Sequence, residues 1–314
     1  MKSPSCRTLS DSSWTDGCLS QVHEFISGFL KLRLSCFTLS VSRSIVKAMY
    51  SFIDAHAHLH DRAYDADRED VLSRMRGSKV VAITVGTDLV QSEKAVLLAE
   101  KEKGIWATVG RHPVDNRNEI FDAVKYKELA GREKVVAIGE CGLDYYWPSE
   151  DNLDLVKEKP RQEEIFRAQI EIAKAVNKPL MLHVRPSRGS QDAYKDTLRI
   201  LREYPGIRGN VHFFAGDEFV AKEFTDLGFT LSFTGVITFT KDYDSVISCI
   251  PAGSILTETD APYVTPAPLR GKRNEPGNVV FVADRLAALK NMKLEDFMEV
   301  VRENAVRVFG ITAV

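Results

Sequence analysis

The chain has 314 residues, of which 44% are hydrophobic and 27% charged, as in globular proteins with a well-buried core. Its formal net charge is −2, so no overall positive field favours nucleic-acid binding, and a polyanionic substrate would need a local group of cations. Five scattered cysteines form no CxxC pair, which favours reduced thiols and a cytoplasmic location. No run of about 18 apolar residues occurs, so no membrane-spanning helix or membrane partner is expected.

Residues 1–48 differ from the rest of the chain because they are rich in serine and show no sustained helical period. Three interpretations remain open: an upstream start codon assigned in error, an organellar targeting segment, or an accessory element. Arginines and serines fit a targeting segment, whereas Asp11, Asp16 and Glu24 count against it. We therefore predict an N-terminal extension over residues 1–48 and a single folded domain over residues 49–314.

From residue 51 onward, short apolar runs alternate with longer amphipathic segments. The candidate strands cover residues 52–55, 80–85, 105–109, 135–139, 179–183, 209–213, 229–233 and 254–257. The clearest candidate helices cover residues 89–103, 161–176 and 294–309. Nearly continuous Val, Ile and Leu in several strands is typical of parallel strands covered on both faces. Eight such units over about 260 residues predict an α/β fold of the (β/α)8 TIM-barrel type.

A doubly wound open sheet is the rival architecture. It would be expected to carry a glycine-rich phosphate loop after the first strand, and the sequence there, DAHAH at residues 54–58, lacks glycine.

Most of the histidines, together with two acids, lie at or just after predicted strand ends. In a barrel these positions share the C-terminal rim, where active sites of this architecture are built. A lone buried histidine is more often a hydrogen-bonded core residue, but this many at one rim favours a metal site. The residues that carry this prediction are His56, His58, Glu140, His183, His212 and Asp260, whereas His112 could be a ligand-binding donor or a loop histidine. We expect His60 to be a surface or supporting residue.

The His-x-His pair has a direct physical basis. Residues two apart on a strand point to the same side, so His56 and His58 can reach one ion. A central carboxylate, Glu140, can present one oxygen to each of two metals, and water held there loses a proton near neutral pH. Asp260 can bind the first metal and accept a proton from the attacking water.

Six segments in the same order resemble the TatD family of metal-dependent hydrolases. They are FIDAHAHL (52–59), VGRHP (109–113), IGECGLDYY (138–146), PLMLHVR (179–185), ETDAPY (258–263) and RGKRNEP (270–276). The resemblance spans residues 52 to about 310. Departures are His60, where the family usually has Asp or Asn, Cys141 in place of an aliphatic residue, and a longer run after Arg185.

The resemblance implies an amidohydrolase-type barrel with two divalent metal ions, which can be zinc, manganese or magnesium. Metal one would bind His56, His58, Glu140 and Asp260, and metal two would bind Glu140, His183 and His212. His112 would donate to the scissile phosphate, and Arg185 would contact a phosphate through its planar guanidinium. Asp260 and Glu140 would thus carry the catalysis.

The family resemblance implies hydrolysis of phosphodiester bonds, by a deoxyribonuclease or 3′–5′ exonuclease with DNA as its nucleic-acid partner. Nearby cations would attract this substrate, namely Arg111, Arg185, Arg188, Arg270, Lys272 and Arg273, and Tyr145, Tyr146, Trp147 and Tyr263 would stack on its bases. Two alternatives stay open. The same site could deacylate D-aminoacyl-tRNA or cleave an amide or lactone, or the barrel could be a binding protein without activity.

Overall fold

The computed structural model describes residues 51–117, 119–151 and 153–311. The predicted N-terminal extension lies outside these ranges, and its boundary at residue 48 stays a prediction. Among the described residues, none of the helices is both long and apolar enough to cross a membrane.

Eight parallel strands form one sheet in which each strand pairs with the next along the chain. The strands are β1 (Phe52–Ala57), β2 (Val80–Val85), β3 (Ile105–Val109), β4 (Val135–Asp144), β5 (Leu180–Arg185), β6 (Gly209–Val211), β7 (Thr230–Phe233) and β8 (Ile255–Thr257). Nearly every strand residue is buried, as expected when helices cover the outer face; the exceptions are Phe52 in β1 and His183 and Arg185 in β5. The predicted (β/α)8 fold class is confirmed.

Helices connect the strands and cover the sheet. They are α1 (Arg68–Gly77), α2 (Leu89–Lys101), α3 (Ala123–Ala130), α4 (Tyr146–Glu150), α5 (Leu155–Val176), α6 (Asp192–Arg202), α7 (Glu218–Asp226), α8 (Asp244–Cys249), α9 (Val279–Leu289) and α10 (Leu294–Phe309). Side-chain caps fix several starts, because the first amide groups of a helix lack partners within it. Asp88 caps α2 by accepting from the N–H of Gln91 at 2.7 Å.

Main-chain hydrogen bonds join the C-terminal end of β1 to the residues that follow β8, across the seam between these two strands. The N–H of Asp260 donates to the carbonyl of His56 at 2.9 Å, and the N–H of His58 donates to the carbonyl of Ala261 at 2.7 Å. The same bonds that close the barrel therefore hold Asp260 beside the His-x-His pair.

Strand β4 is longer than predicted and carries an irregularity in its pairing with β5 between Ile138 and Cys141. Gly142 has φ +135°, and a Cβ there would lie 2.2 Å from the carbonyl oxygen of His183. Glycine is needed at this close approach, since a side chain would push β4 and β5 apart. Because β4 continues to Asp144, Glu140 lies within this strand, whereas the sequence analysis expected it at the strand end.

Several further predicted boundaries were wrong, among them the end of β1, which runs to Ala57 and contains His56. His183 lies inside β5, which continues to Arg185. His212 follows β6 instead of lying in it, because Phe213 has φ +44° and a left-handed residue cannot continue a strand. Helix α5 begins before Pro160 because Asp154 caps its first turn by accepting from the N–H of Val156.

Candidate metal centre

The C-terminal rim brings the predicted site residues together in two groups that share Glu140. The first group lies at the β1–β8 seam. Nε2 of His58 lies 3.4 Å from Oδ1 of Asp260, and Nε2 of His56 lies 3.8 Å from the same oxygen. These three side chains can bind one ion with one atom each. We call them the seam group.

The second group lies on β4, β5 and the residue after β6. Nδ1 of His183 and Nε2 of His212 lie 2.9 and 3.1 Å from Oε1 of Glu140. Oε2 of Glu140 lies 3.5 Å from Nε2 of His56, on the side of the seam group. We call His183 and His212 the strand group. The two oxygens of one carboxylate thus face two different sets of histidines.

The histidine rings of the two groups pack directly against one another. The rings of His56 and His212 stack with centroids 3.8 Å apart and planes 16° apart. His56 is fully buried, and neither of its ring nitrogens has a hydrogen-bond partner within the described part of the chain. A buried polar atom without a partner is costly unless another group satisfies it. Nε2 of His56, which faces two carboxylates, therefore fits a divalent metal, and so does the nitrogen-and-oxygen donor set around it.

Charge coupling within this centre shifts several pKa values. Burial alone would raise the pKa of Glu140, but His212, His112 and the other nearby histidines hold it well below its usual range. Burial would lower the pKa of His58, yet the carboxylate of Asp260 outweighs burial and raises that pKa to about 9. His183 likewise reaches a pKa of about 9, against burial, because Asp144 and Glu140 accept hydrogen bonds from its ring. The carboxylates of this centre therefore stabilise the protonated, positively charged form of neighbouring histidines, as a cation-binding site would.

The site opens into a cavity of about 700 Å³ at the rim. Five carboxylates line it, from Asp61, Asp88, Asp115, Glu140 and Asp260. Arg185 is the single Lys or Arg among its described lining residues. An anionic cavity of this kind needs bound cations before a phosphate can approach.

His112 and Arg185, which the resemblance implies as substrate contacts, both line this cavity. Nε2 of His112 is 3.6 Å from Oε1 of Glu140, and its Nδ1 is 3.2 Å from Oδ1 of Asp115. Arg185 is exposed and stacks over the ring of Tyr146 with 4.1 Å between guanidinium carbon and ring centroid. Both side chains can therefore meet a ligand in the cavity.

Most of the predicted cationic group does not face the cavity. Arg111 is buried, and its guanidinium donates to the carbonyls of Asp115 and Asn116. Arg273 pairs with Asp67 at 2.7 Å, and Arg270 lies over the ring of Phe239. The sequence predicted these residues in rim loops but could not indicate which carbonyl, ring or carboxylate of the protein each of them contacts.

The aromatic and histidine predictions also need correction. Tyr145 is completely buried and donates to Asp196, so it cannot stack on a base. Trp147 and Tyr263 are about half exposed and do line the cavity. His60 is buried, with Nδ1 2.8 Å from Oγ1 of Thr84, and is not a surface residue.

Three acids at the site were missed by the sequence analysis. Asp144 lies 2.9 Å from Nε2 of His183, and Oε1 of Glu258 lies 3.6 Å from Nδ1 of His212. Asp115 contacts His112 three residues before it. The available signal for Glu258 was its position directly after β8, and the bulge in β4 concealed the signal of Asp144.

Comparison with known proteins agrees with this architecture. The family model described as TatD related DNase matches residues 53–310. The uncharacterized metal-dependent hydrolase YabD of Bacillus subtilis is 41% identical over 264 residues, which cover 82% of this chain and 98% of YabD. YcfH of Escherichia coli, named in the same way, is 36% identical over 83% of this chain and 96% of its own length. The crystal structure of YjjV, a TatD homologue of Escherichia coli, superposes with a TM-score of 0.75 at 26% identity, covering 84% of this chain and all of YjjV.

The barrel and its rim of histidines and carboxylates, together with these relatives, define a metal-dependent hydrolase. Within that class, the chain belongs to the TatD family, because the family model covers most of its length. The resemblance found in the six sequence segments is therefore confirmed.

Proposed function

We propose that this protein hydrolyses phosphodiester bonds of DNA, as a 3′–5′ exonuclease that uses two divalent metal ions. The observation that carries the two-metal part is the position of Glu140, whose Oε2 faces His56 and whose Oε1 faces His183 and His212. The description of the matching family as a DNase supports DNA as the substrate.

In this proposal His56, His58, Glu140 and Asp260 would hold the first metal, and Glu140, His183 and His212 would hold the second. Divalent metals at such a centre activate water as a nucleophile and neutralise charge that develops on the phosphate. Zinc and manganese suit the imidazoles, and magnesium suits the carboxylates.

Other side chains have separate roles in the proposed reaction. Asp260 has an exposed fraction of 13% and lies at the cavity wall, where its carboxylate can accept the proton of the attacking water. His112 donates to a phosphate oxygen, since its Nε2 points toward the centre while Asp115 holds its Nδ1. Arg185 offers a planar pair of donors to a neighbouring phosphate. Trp147 and Tyr263 provide exposed ring faces on which bases of a single strand can stack.

The test uses one metal-loaded preparation against two substrates. Incubation with 5′-labelled single-stranded DNA should release mononucleotides from the 3′ end, and a chelator should stop the release. Glu140→Gln protein purified in the same way is the control for contaminating nucleases.

Transfer-RNA charged with a D-amino acid forms the second arm. Release of amino acid from it, with the DNA left intact, would replace the nuclease proposal by the deacylase alternative. Activity on neither substrate, in protein that binds metal, would contradict the proposed substrate class.

A further inference from the structure

Two buried carboxylates lie behind the histidines of the strand group. Asp144 and Glu258 are both completely buried. Each faces the ring nitrogen opposite the one that faces Glu140: Oδ2 of Asp144 is 2.9 Å from Nε2 of His183, and Oε1 of Glu258 is 3.6 Å from Nδ1 of His212. We propose that these carboxylates are positioning residues that fix the ring orientation and tautomer of the two histidines for the second metal.

Asp144 is itself held from three sides. Its N–H and carbonyl pair with the amide of Gln162, both at 2.8 Å. Its Oδ1 accepts from the N–H groups of Tyr146 and Trp147 at 2.9 and 3.1 Å, at the start of α4. Oδ2 is left for the ring of His183. The carboxylate therefore cannot follow a rotation of that ring, and the ring keeps one orientation.

Glu258 is fixed in a comparable way. Its Oε1 accepts from the N–H of Phe213 at 2.6 Å, and its Oε2 accepts from Oγ of Ser232 at 2.8 Å. Ser232 is in turn bonded to the amide of Asn210 at 2.7 Å. Because Phe213 directly follows His212 and has a left-handed φ, Glu258 fixes the main chain beside this histidine, and its Oε1 lies 3.6 Å from Nδ1 of the ring, close to it but beyond hydrogen-bond distance.

The chemistry explains why carboxylates serve here. An ionised carboxylate accepts hydrogen bonds and cannot donate them, so Nε2 of His183, which bonds Asp144, must carry the proton; Glu258 beside Nδ1 of His212 favours a proton on that nitrogen in the same way. The other nitrogen, Nδ1 of His183 or Nε2 of His212, bonds Glu140 in the metal-free protein, and only loss of its proton would free a lone pair for a metal. Such partners orient a metal-binding histidine and make it a stronger ligand. The inference rests on the two-metal centre proposed above.

The experiment is a calorimetric titration of metal-free, full-length protein with Mn²⁺. In Asp144→Asn, the single side-chain oxygen is needed by α4, so the new amide would donate to Nε2 of His183 and leave the proton on Nδ1. We expect the second Mn²⁺ to bind roughly 10- to 100-fold more weakly, with the first unchanged. Asp217→Asn is the matched control, since Asp217 caps α7 at 2.8 Å and contacts no imidazole.

Glu258 gives an independent pair of variants. Glu258→Gln keeps an oxygen that can accept from Nδ1 of His212 and should weaken the second Mn²⁺ less than Glu258→Ala. Melting temperatures of the metal-free variants, measured beside Asp217→Asn, separate an effect on the site from an effect on folding.

Unchanged binding of both ions in Asp144→Asn and Glu258→Ala would overturn the inference. Equal weakening of both ions with a lowered melting temperature would overturn it too, because it would indicate a structural role. If the wild type binds one Mn²⁺, the two-metal proposal fails; weakening of that ion in both variants would still support positioning, and no weakening would overturn it.

Discussion

The two groups of the metal centre are held by different means. In the seam group, the main chain does most of the positioning: Asp260 and His58 bond across the barrel seam, and Nδ1 of His58 lies 2.8 Å from the carbonyl of Val85. In the strand group, His183 and His212 face the side chains of Asp144 and Glu258. The seam group is thus fixed by the closure of the fold itself, whereas the strand group depends on two particular carboxylates.

Glu140 joins the two groups, so its replacement should give the largest effect. In Glu140→Gln the amide can offer one neutral oxygen at most, and binding of both ions should weaken. We expect kcat to fall on the order of 10³-fold, because the metals supply several kcal/mol of transition-state stabilisation. Steady-state hydrolysis and metal content measured on the same preparation provide the check.

The control for this substitution is Glu119→Gln. Glu119 accepts from the hydroxyl of Tyr126 at 2.7 Å and from the N–H of Leu89 at 3.2 Å, away from the metal centre. It should keep wild-type turnover. Full metal content in Glu140→Gln would contradict the view that one carboxylate serves both groups.

His112 lies beside both groups without being a proposed ligand, and its replacement should separate binding from catalysis. In His112→Ala we expect a loss of roughly 10²-fold in kcat, the size found when one donor to developing charge is removed. Metal content should stay at the wild-type value. His60→Asn, which changes a cavity histidine bonded to Thr84, is the matched control. Loss of one metal from His112→Ala would instead make His112 a ligand.

Proton release on metal binding compares the groups directly, since the pKa is raised for His58 in the seam group and for both His183 and His212 in the strand group. His58 and His183 both have a pKa of about 9 in the metal-free protein. Their protons stabilise the metal-free fold below the unfolded pKa of about 6.5, and this stabilisation is lost as pH rises through 9. Metal must displace these protons, so affinity should rise with pH between about 6.5 and 9.

Calorimetry at pH 7 in two buffers of different ionisation enthalpy gives the number of protons released. We expect about three in the wild type and about two in either His58→Ala or His183→Ala, since His58, His183 and His212 all have raised pKa values. Affinity independent of pH across this interval would disprove the charge coupling in both groups.

Sequence patterns predicted the barrel and the candidate ligands because both depend on local regularities. Apolar runs at a regular spacing identified the strands, and reactive residues at strand ends identified one rim. The predictions that were wrong concern positions whose structure depends on tertiary contacts. The length of β4 follows from glycines that allow close approach to β5, and the burial of Arg111 follows from carbonyl partners in its own loop.

The supporting acids were missed for the same reason. Asp144 and Glu258 were visible in the sequence, but their roles depend on which ring nitrogen they face, and this is decided by packing between neighbouring strands. The cytoplasmic location and the nature of residues 1–48 stay predictions from composition.

The central claim is that two metal ions share Glu140 between the seam group and the strand group. Anomalous diffraction from crystals of the protein grown with Mn²⁺ tests it most directly. We predict two peaks, one bound by His56, His58 and Asp260 and the other by His183 and His212, with Glu140 bound to both. A single peak, or two peaks of which only one contacts Glu140, would contradict the claim.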